Sequence, residues 1–347
     1  MTDPIVVDGA MGEGGGQVLR SALSLSLLTR RPFCLSHIRG NRDRPGLRPQ
    51  HLAAVQAAAQ VSGARVIGDR VGSEAIEFTP GPVRPGDYFF DIGTAGATSL
   101  VLQTLLLPLA MTPGSSSVTI RGGTHVPLSP CFHYLGWHWR PFFHRIGIPF
   151  DLTMTMAGFY PQGGGELQAR IPGDARPGPL HLTERGALRA VRGLSAVANL
   201  PREIAERQRR QALRGLRALL PDVAPEVILE EFPATTRGTL LLLLAEFELG
   251  QACCFALGAR GKRAEQVADE AVDALAAFLH SDGAVDPWLA DQLLLPLAVA
   301  DGPSALRTSE VTSHLLTNVG VIRLFLPVEI RVDGPIGGPA TVRVHKP

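Results

Sequence analysis

Ile5-Val6-Val7-Asp8-Gly9-Ala10-Met11-Gly12-Glu13-Gly14-Gly15-Gly16-Gln17-Val18-Leu19-Arg20 is the stretch that decides the fold. Its three leading β-branched residues favour a short strand over residues 5–7. Five glycines around Glu13 then make a turn whose backbone N–H groups can approach an anion at the positive end of a helix. Apolar residues 17–28 carry that helix onward, and Arg30-Arg31-Pro32 closes it. Further along, residues 33–38 read as a second strand and Pro49 opens a second, Ala-rich helix at 52–61. Residues 64–67 and 75–78 alternate as a hairpin pair around Gly72. The β-α-β-α-β-β order recurs loosely. A helix at 97–107 precedes a strand at 118–121, and a helix near 134–146, kinked at Pro141, precedes strands at 150–156 and 165–171. MGEGGGQVLR at 11–20 and YPQGGGELQAR at 160–170 share three consecutive glycines. The echo supports a repeat of about 80 residues, two helices on a four-stranded sheet.

After Pro172 the chain changes character. GDARPGPLHLTERG is a Pro/Gly linker. Beyond it come strands at 194–197, 227–232 and 239–247, with helices at 201–220 and 262–279. The last has Val267, Ala268, Ala271, Leu275, Phe278 and Leu279 at helical spacing. We expect a small inserted α/β domain at 182–281 within a discontinuous repeat domain at 1–181 and 282–347. The earlier pattern returns from Pro287, with helices at 289–297 and 313–325 and strands at 329–332 and 340–344.

Composition limits the function. The 347 residues carry 33 basic and 32 acidic side chains, so a globally basic nucleic-acid coat is excluded and any polyanion site is local. Aromatics make up 6%, while 38 glycines and 28 prolines signal many tight turns. Cys34, Cys131, Cys253 and Cys254 lack metal-ligand spacing, and reduced thiols in a cytoplasmic protein are expected. The N-terminus lacks the basic start and apolar core of a signal peptide. The apolar runs at 105–111 and 240–245 fall well short of the ~18 residues of a membrane span.

Five constellations could carry chemistry. The glycine turn holds Glu13, a candidate metal carboxylate, but no Gly-Lys-Ser/Thr follows, so it is not a P-loop; a plain turn with a solvated glutamate is the alternative. Residues 38–51, IRGNRDRPGLRPQH, place four arginines against one aspartate just before a helix. Guanidinium forks suit phosphate, although a solvated turn remains open. DIGTAGATS at 91–99, leading to Gln103, is a second anion-friendly helix start or a helix start with no ligand. Arg121-Gly122-Gly123-Thr124-His125 ends a strand in a turn. In Ser313-His314-Leu315-Leu316-Thr317-Asn318, one histidine opens an apolar helix with Asn318 a turn onward; it serves as nucleophile, as base, or simply as a packed residue. His133, His138 and His144 read as packing residues, and the basic helix at 202–217 as a solvated face or an RNA grip.

The ordered set DGAMGEGGGQ, IRGNRDRPGLRPQH, DIGTAGATSLVLQ, RGGTH, FYPQGGGE, WLADQLLLP and SHLLTN closely resembles the RNA 3′-terminal phosphate cyclases. The resemblance implies repeated βαβαββ units, as in enolpyruvyl transferases, with a small inserted α/β domain. It implies ATP-dependent conversion of an RNA 3′-terminal phosphate to a 2′,3′-cyclic phosphate through a covalent histidine–AMP and an RNA-adenylate. The family's nucleophile falls on His314 and its metal ligand, for Mg²⁺ or Mn²⁺, on Glu13. Its important arginines fall on Arg20, Arg39 and Arg42. Its nucleotide-binding positions fall on Gln50, Gln103 and Trp288-Leu289-Ala290-Asp291-Gln292, where Trp288 could stack on adenine. Where the family usually continues GGTH with Asn, and has Asp before a later aromatic, this chain has Val126 and His133-Tyr134. A non-catalytic cyclase-like RNA-binding assembly factor, which would lack the histidine, is the alternative. An enolpyruvyl transferase would need its own Lys/Arg/Asp set, and the only lysines are Lys262 and Lys346.

Overall fold

Ile5, Val6 and Val7 form strand β1 (Ile5–Asp8), whose alternate residues face the interior. The computed structural model describes residues 3–346. After β1 come α1 (Gly16–Thr29), β2 (Phe33–Ser36), α2 (Pro49–Ser62), β3 (Arg65–Ile67) and β4 (Ile76–Thr79). The sheet runs β1-β2-β4-β3. β1 and β2 are parallel, as a helical crossover permits, while β4 is antiparallel to both its neighbours.

The second unit repeats this order. β5 (Asp87–Asp91), α3 (Thr98–Ala110) and β6 (Ser116–Gly122) lead into α4 (Phe132–Tyr134), a π-helical turn at Leu135–Trp139 and α5 (Arg140–Arg145). β7 (Asp151–Met156) and β8 (Gly165–Ile171) complete the sheet β5-β6-β8-β7. The expected kink at Pro141 takes the form of that wide turn, in which the Arg140 N–H donates to the Leu135 carbonyl just ahead of the proline.

The third unit is split. Its first strand, β9 (His181–Leu182), is followed by β10 (Leu188–Ala198), α6 (Arg202–Leu219), β11 (Glu226–Glu231), β12 (Gly238–Phe247), β13 (Gln251–Leu257) and α7 (Ala264–His280). Only then come α8 (Pro287–Val299), β14 (Ser304–Thr308), α9 (Ser313–Phe325), β15 (Glu329–Asp333) and β16 (Ala340–His345). The sheet β9-β14-β16-β15 has the same internal order and directions as the first two. The fold is thus an α/β architecture of repeated βαβαββ units, with a fourth sheet, β11-β10-β12-β13, contributed from within the third.

Four strands, β5, β9, β13 and β14, lie where none is expected from the sequence. The two glycine runs also prove not to be equivalent. Residues 14–16 lead from a strand into a helix, whereas residues 163–165 join β7 to β8. The true counterpart of the first turn is the stretch between β5 and α3.

The helices of the units meet in the middle. α1 packs against α2, α3 and α9, so it is buried almost all round, its serines included. β12 is buried on both faces. Leu240, Leu242 and Leu244 join the main core, while Leu241, Leu243 and Ala245 pack under α6 and α7. This explains a leucine run that strand alternation alone does not.

Candidate active site

The site forms where α1, α8 and α9 converge, and it starts from the glycine turn. Gly12 adopts a φ of +56°, and a Cβ there would lie 2.2 Å from Thr317 Oγ1, so only glycine lets the turn settle on α9. Thr317 then accepts a hydrogen bond from the Glu13 N–H at 3.0 Å. Glu13 is thereby held over the first turn of α9, which Thr312 caps through the Leu315 N–H.

His314 sits in that first turn. Its Nδ1 lies 2.7 Å from Gln17 Oε1, while Gln17 Nε2 donates to both Asp291 oxygens at 2.7 and 2.8 Å. The carboxylate can only accept, so it orients the amide with its oxygen toward His314. The proton of the neutral imidazole therefore resides on Nδ1, leaving the Nε2 lone pair free. That Nε2 comes within 2.7 Å of Glu13 Oε2 without hydrogen-bond geometry. Asn318 donates to the Asp291 backbone carbonyl at 3.1 Å and accepts from Ser21 at 2.7 Å, locking the three helices together.

The surroundings are electropositive. Arg42 pairs with Glu13 Oε1. Burial lowers the Arg20 guanidinium to about 10, against the pull of Asp291. Burial drives His51 down to about 3, with Arg20, Arg39 and Arg48 adding to the shift. His314 is lowered by burial and then by Arg20 and Arg42, so it is neutral at pH 7. Asp291 moves the other way, up to about 6, because burial outweighs the Gln17, Asn318 and Arg20 contacts. Arginines crowded with so few carboxylates fit a site that receives an anion.

Beside His314 opens a cavity of about 640 Å³, the size of a small-molecule site. Trp288, Asp291, Gln292, Gln103 and Arg20 line it, as do Cys253, Cys254 and Phe278 from the inserted segment. The Trp288 ring stands edge-on to His314 at 6.2 Å. Gln103 Nε2 and Gln292 Oε1 are buried without partners.

The structure brings together His314, Glu13, Arg20, Arg42, Gln103, Trp288, Asp291 and Gln292. Leu289 and Ala290 are fully buried and support the helix. Gln50 stands apart from the cavity lining, its Oε1 accepting from the Ala97 N–H at 3.0 Å at the start of α3. Arg39 donates to the Arg44 and Gly46 carbonyls of its own loop. Gln17 is the residue that sequence reasoning misses; its only signal is its place directly after the glycines.

No cluster of three metal-ligating side chains occurs among the described residues. Glu13 nevertheless fits a hard divalent cation, since its buried Oε2 has no hydrogen-bond partner and such ions commonly take one protein carboxylate plus phosphate and water. No helix among the described residues is long and apolar enough to cross a membrane.

Comparison with known proteins gives a consistent result. The family model described as RNA 3′-terminal phosphate cyclase matches residues 11–332. A protein of that name from Ralstonia nicotianae is 47% identical over 330 residues, covering 95% of this chain and 93% of its own length. Its namesake from Pseudomonas fluorescens is 48% identical over 330 residues, with 94% of each chain covered. One from Methylococcus capsulatus is 43% identical over 349 residues, covering 98% of this chain and 96% of its own. A solved enolpyruvyl transferase from Streptomyces tendae aligns at a TM-score of 0.28 and 18% identity over 49% of this chain and 33% of that one, too weak a likeness to bear on the fold.

Proposed function

The chain belongs to the RNA 3′-terminal phosphate cyclase family, and on that premise we propose that it uses ATP to cyclise RNA 3′-phosphate ends through an AMP adduct on His314. The line Asp291–Gln17–His314 at the mouth of the cavity is the observation that carries this reading.

The lone pair on His314 Nε2 attacks the α-phosphorus of ATP. An N–P bond forms, the bond to the bridging oxygen breaks, and pyrophosphate leaves. The ring becomes cationic as this happens, and Gln17 Oε1, already accepting from Nδ1–H, stabilises that charge, as a carboxylate does for histidine in a triad. An oxygen of the RNA 3′-phosphate then attacks the same phosphorus, breaking the N–P bond and freeing His314. Finally the neighbouring 2′-OH attacks the terminal phosphorus of RNA and displaces AMP.

Arg20 and Arg42 hold phosphate oxygens, and Arg39 shapes the loop that carries Arg42. A divalent cation on Glu13 would neutralise triphosphate charge. Trp288 stacks on adenine, while the Gln103 donor and the Gln292 acceptor suit a purine edge. Gln50 supports the pocket indirectly, by holding the start of α3. We take residues 182–281 as an inserted domain that walls the pocket, and the cytoplasm, where ATP and reduced thiols coexist, as the place of reaction.

Incubation with ATP labelled at the α-phosphate tests the proposal. The wild-type protein should gain one acid-labile AMP, and His314→Ala should gain none. Label retained in His314→Ala would remove the nucleophile assignment.

A further inference from the structure

Tyr134, His138 and Asp286 form a buried polar cluster in the cavity wall, Tyr134 and Asp286 lining the cavity and His138 lying behind them, outside the line of groups that meets the phosphates. His138 and Asp286 side chains are 0% and 3% exposed, with Nε2 and Oδ2 2.5 Å apart. The Tyr134 hydroxyl donates to Asp286 Oδ1 at 3.0 Å. That same oxygen accepts the Trp288 and Leu289 N–H groups at 3.1 and 3.0 Å, which makes Asp286 the N-cap of α8. Tyr134 stands just before the π turn and His138 lies within it, and their rings meet edge-on at 5.1 Å. π turns inside helices often mark functional positions.

A carboxylate this buried is tolerated only where donors surround it. Here one comes from the end of α4, one from the π turn and two from the first turn of α8. The cluster therefore ties the start of α8 to the second unit. That first turn carries Trp288, which faces both the cavity and His314.

We propose that Tyr134, His138 and Asp286 are positioning residues for the nucleotide: they fix the first turn of α8 and so the plane that Trp288 offers to the base. The proposal rests on the ATP reading of the cavity. A shift confined to the first turn of α8 would loosen the base platform, while Asp291, one turn further on and held by Gln17 and Asn318, keeps the His314 lone pair in place, so ground-state nucleotide binding suffers more than the chemical step.

The test compares His138→Leu, Tyr134→Phe and His138→Gln with wild type. His314 adenylylation is followed against ATP concentration, with calorimetric ATP binding and melting temperature in parallel. Loss of a hydrogen bond to a buried carboxylate frees the first turn of α8, so His138→Leu should raise KM and Kd for ATP about 10-fold or more. Its maximal rate should stay within about 3-fold of wild type, less than the binding loss. Tyr134→Phe, which removes one oxygen, should raise both constants by a smaller factor and decides the matter if the leucine variant does not fold. His138→Gln keeps an N–H donor and should restore most of the affinity. A lower melting temperature with unchanged KM and Kd in both His138→Leu and Tyr134→Phe would reduce the cluster to packing and overturn the proposal. Wild type that binds ATP but takes no label would instead overturn the histidine–AMP reading, and the calorimetric comparison would still decide the role of the cluster.

Discussion

Neutral imidazole carries one proton, and at His314 the Gln17 amide decides where that proton sits. Gln17→Met keeps the length and loses the acceptor. Losing one hydrogen bond in a partly buried site costs roughly 1–3 kcal/mol. Adenylylation, measured in single turnover, should fall about 10- to 100-fold with little change in ATP affinity. The pH profile follows from the same surroundings. Burial and the charges of Arg20 and Arg42 disfavour imidazolium and outweigh the Glu13 carboxylate beside Nε2, so the acid limb of activity should lie below pH 6.5. The fall should be steeper than one titration, because Asp291, at about 6, must stay ionised to hold Gln17. Arg42→Ala removes one disfavouring charge and should move the acid limb up toward 6.5. An unmoved limb would show that Arg42 does not reach the ring. At this scale Glu13, Arg42 and His314 are legible in the sequence because each is a chemically distinctive residue within a marked turn or helix start. The role of Gln17 is not, since its meaning comes from a partner 297 positions away.

The glycine turn shows what an element can require. A Cβ on Gly16 would lie 2.2 Å from His51 Nε2 and 3.0 Å from Arg20 Nη1, and His51 is buried and cannot retreat. Gly16→Ala should destabilise the protein by about 1–3 kcal/mol and displace the start of α1, so both melting temperature and adenylylation should fall. Unchanged activity would mean that the turn yields without cost to Glu13. Helices with a clear apolar period, such as α6 and α7, are legible from sequence. Short strands in Pro/Gly-rich stretches, such as β9 with two residues, are not, because tertiary pairing alone makes them strands. The basic helix α6 proves to be mixed in sign: Arg202 pairs with Glu206 and Glu231, Arg207 pairs with Glu265, and α7 packed beside it exposes Asp269 and Asp273.

The inserted segment belongs to the cavity wall, for Cys253, Cys254, Ala274 and Phe278 line the space in which we place adenosine. ATP should therefore slow amide hydrogen exchange in β13 and α7 as well as in α1 and α9. Protection confined to α1 and α9 would detach the segment from the nucleotide. The recurrence of units is legible from the order of elements, yet the glycine echo that first suggests it joins two turns of different kinds. Such turns look alike in sequence because many chain reversals need the same positive φ.

Threefold recurrence bears on stoichiometry. The second helical segment of each unit carries a histidine within its first three residues: His51 in α2, His133 in α4, His314 in α9. On backbone grounds alone a chain of this design has three chances to be tagged by a nucleotide. Burial closes two of them. His51, at about 3, lies among arginines, and His133, at about 4, is stacked on Phe232 and joined to His125. Only the third is half open to solvent, with a cavity in front of it. The molecule should thus saturate at a single equivalent of AMP however long it stands with ATP. Site count in a repeated architecture is then a matter of which copies remain unsealed, not of how many copies there are.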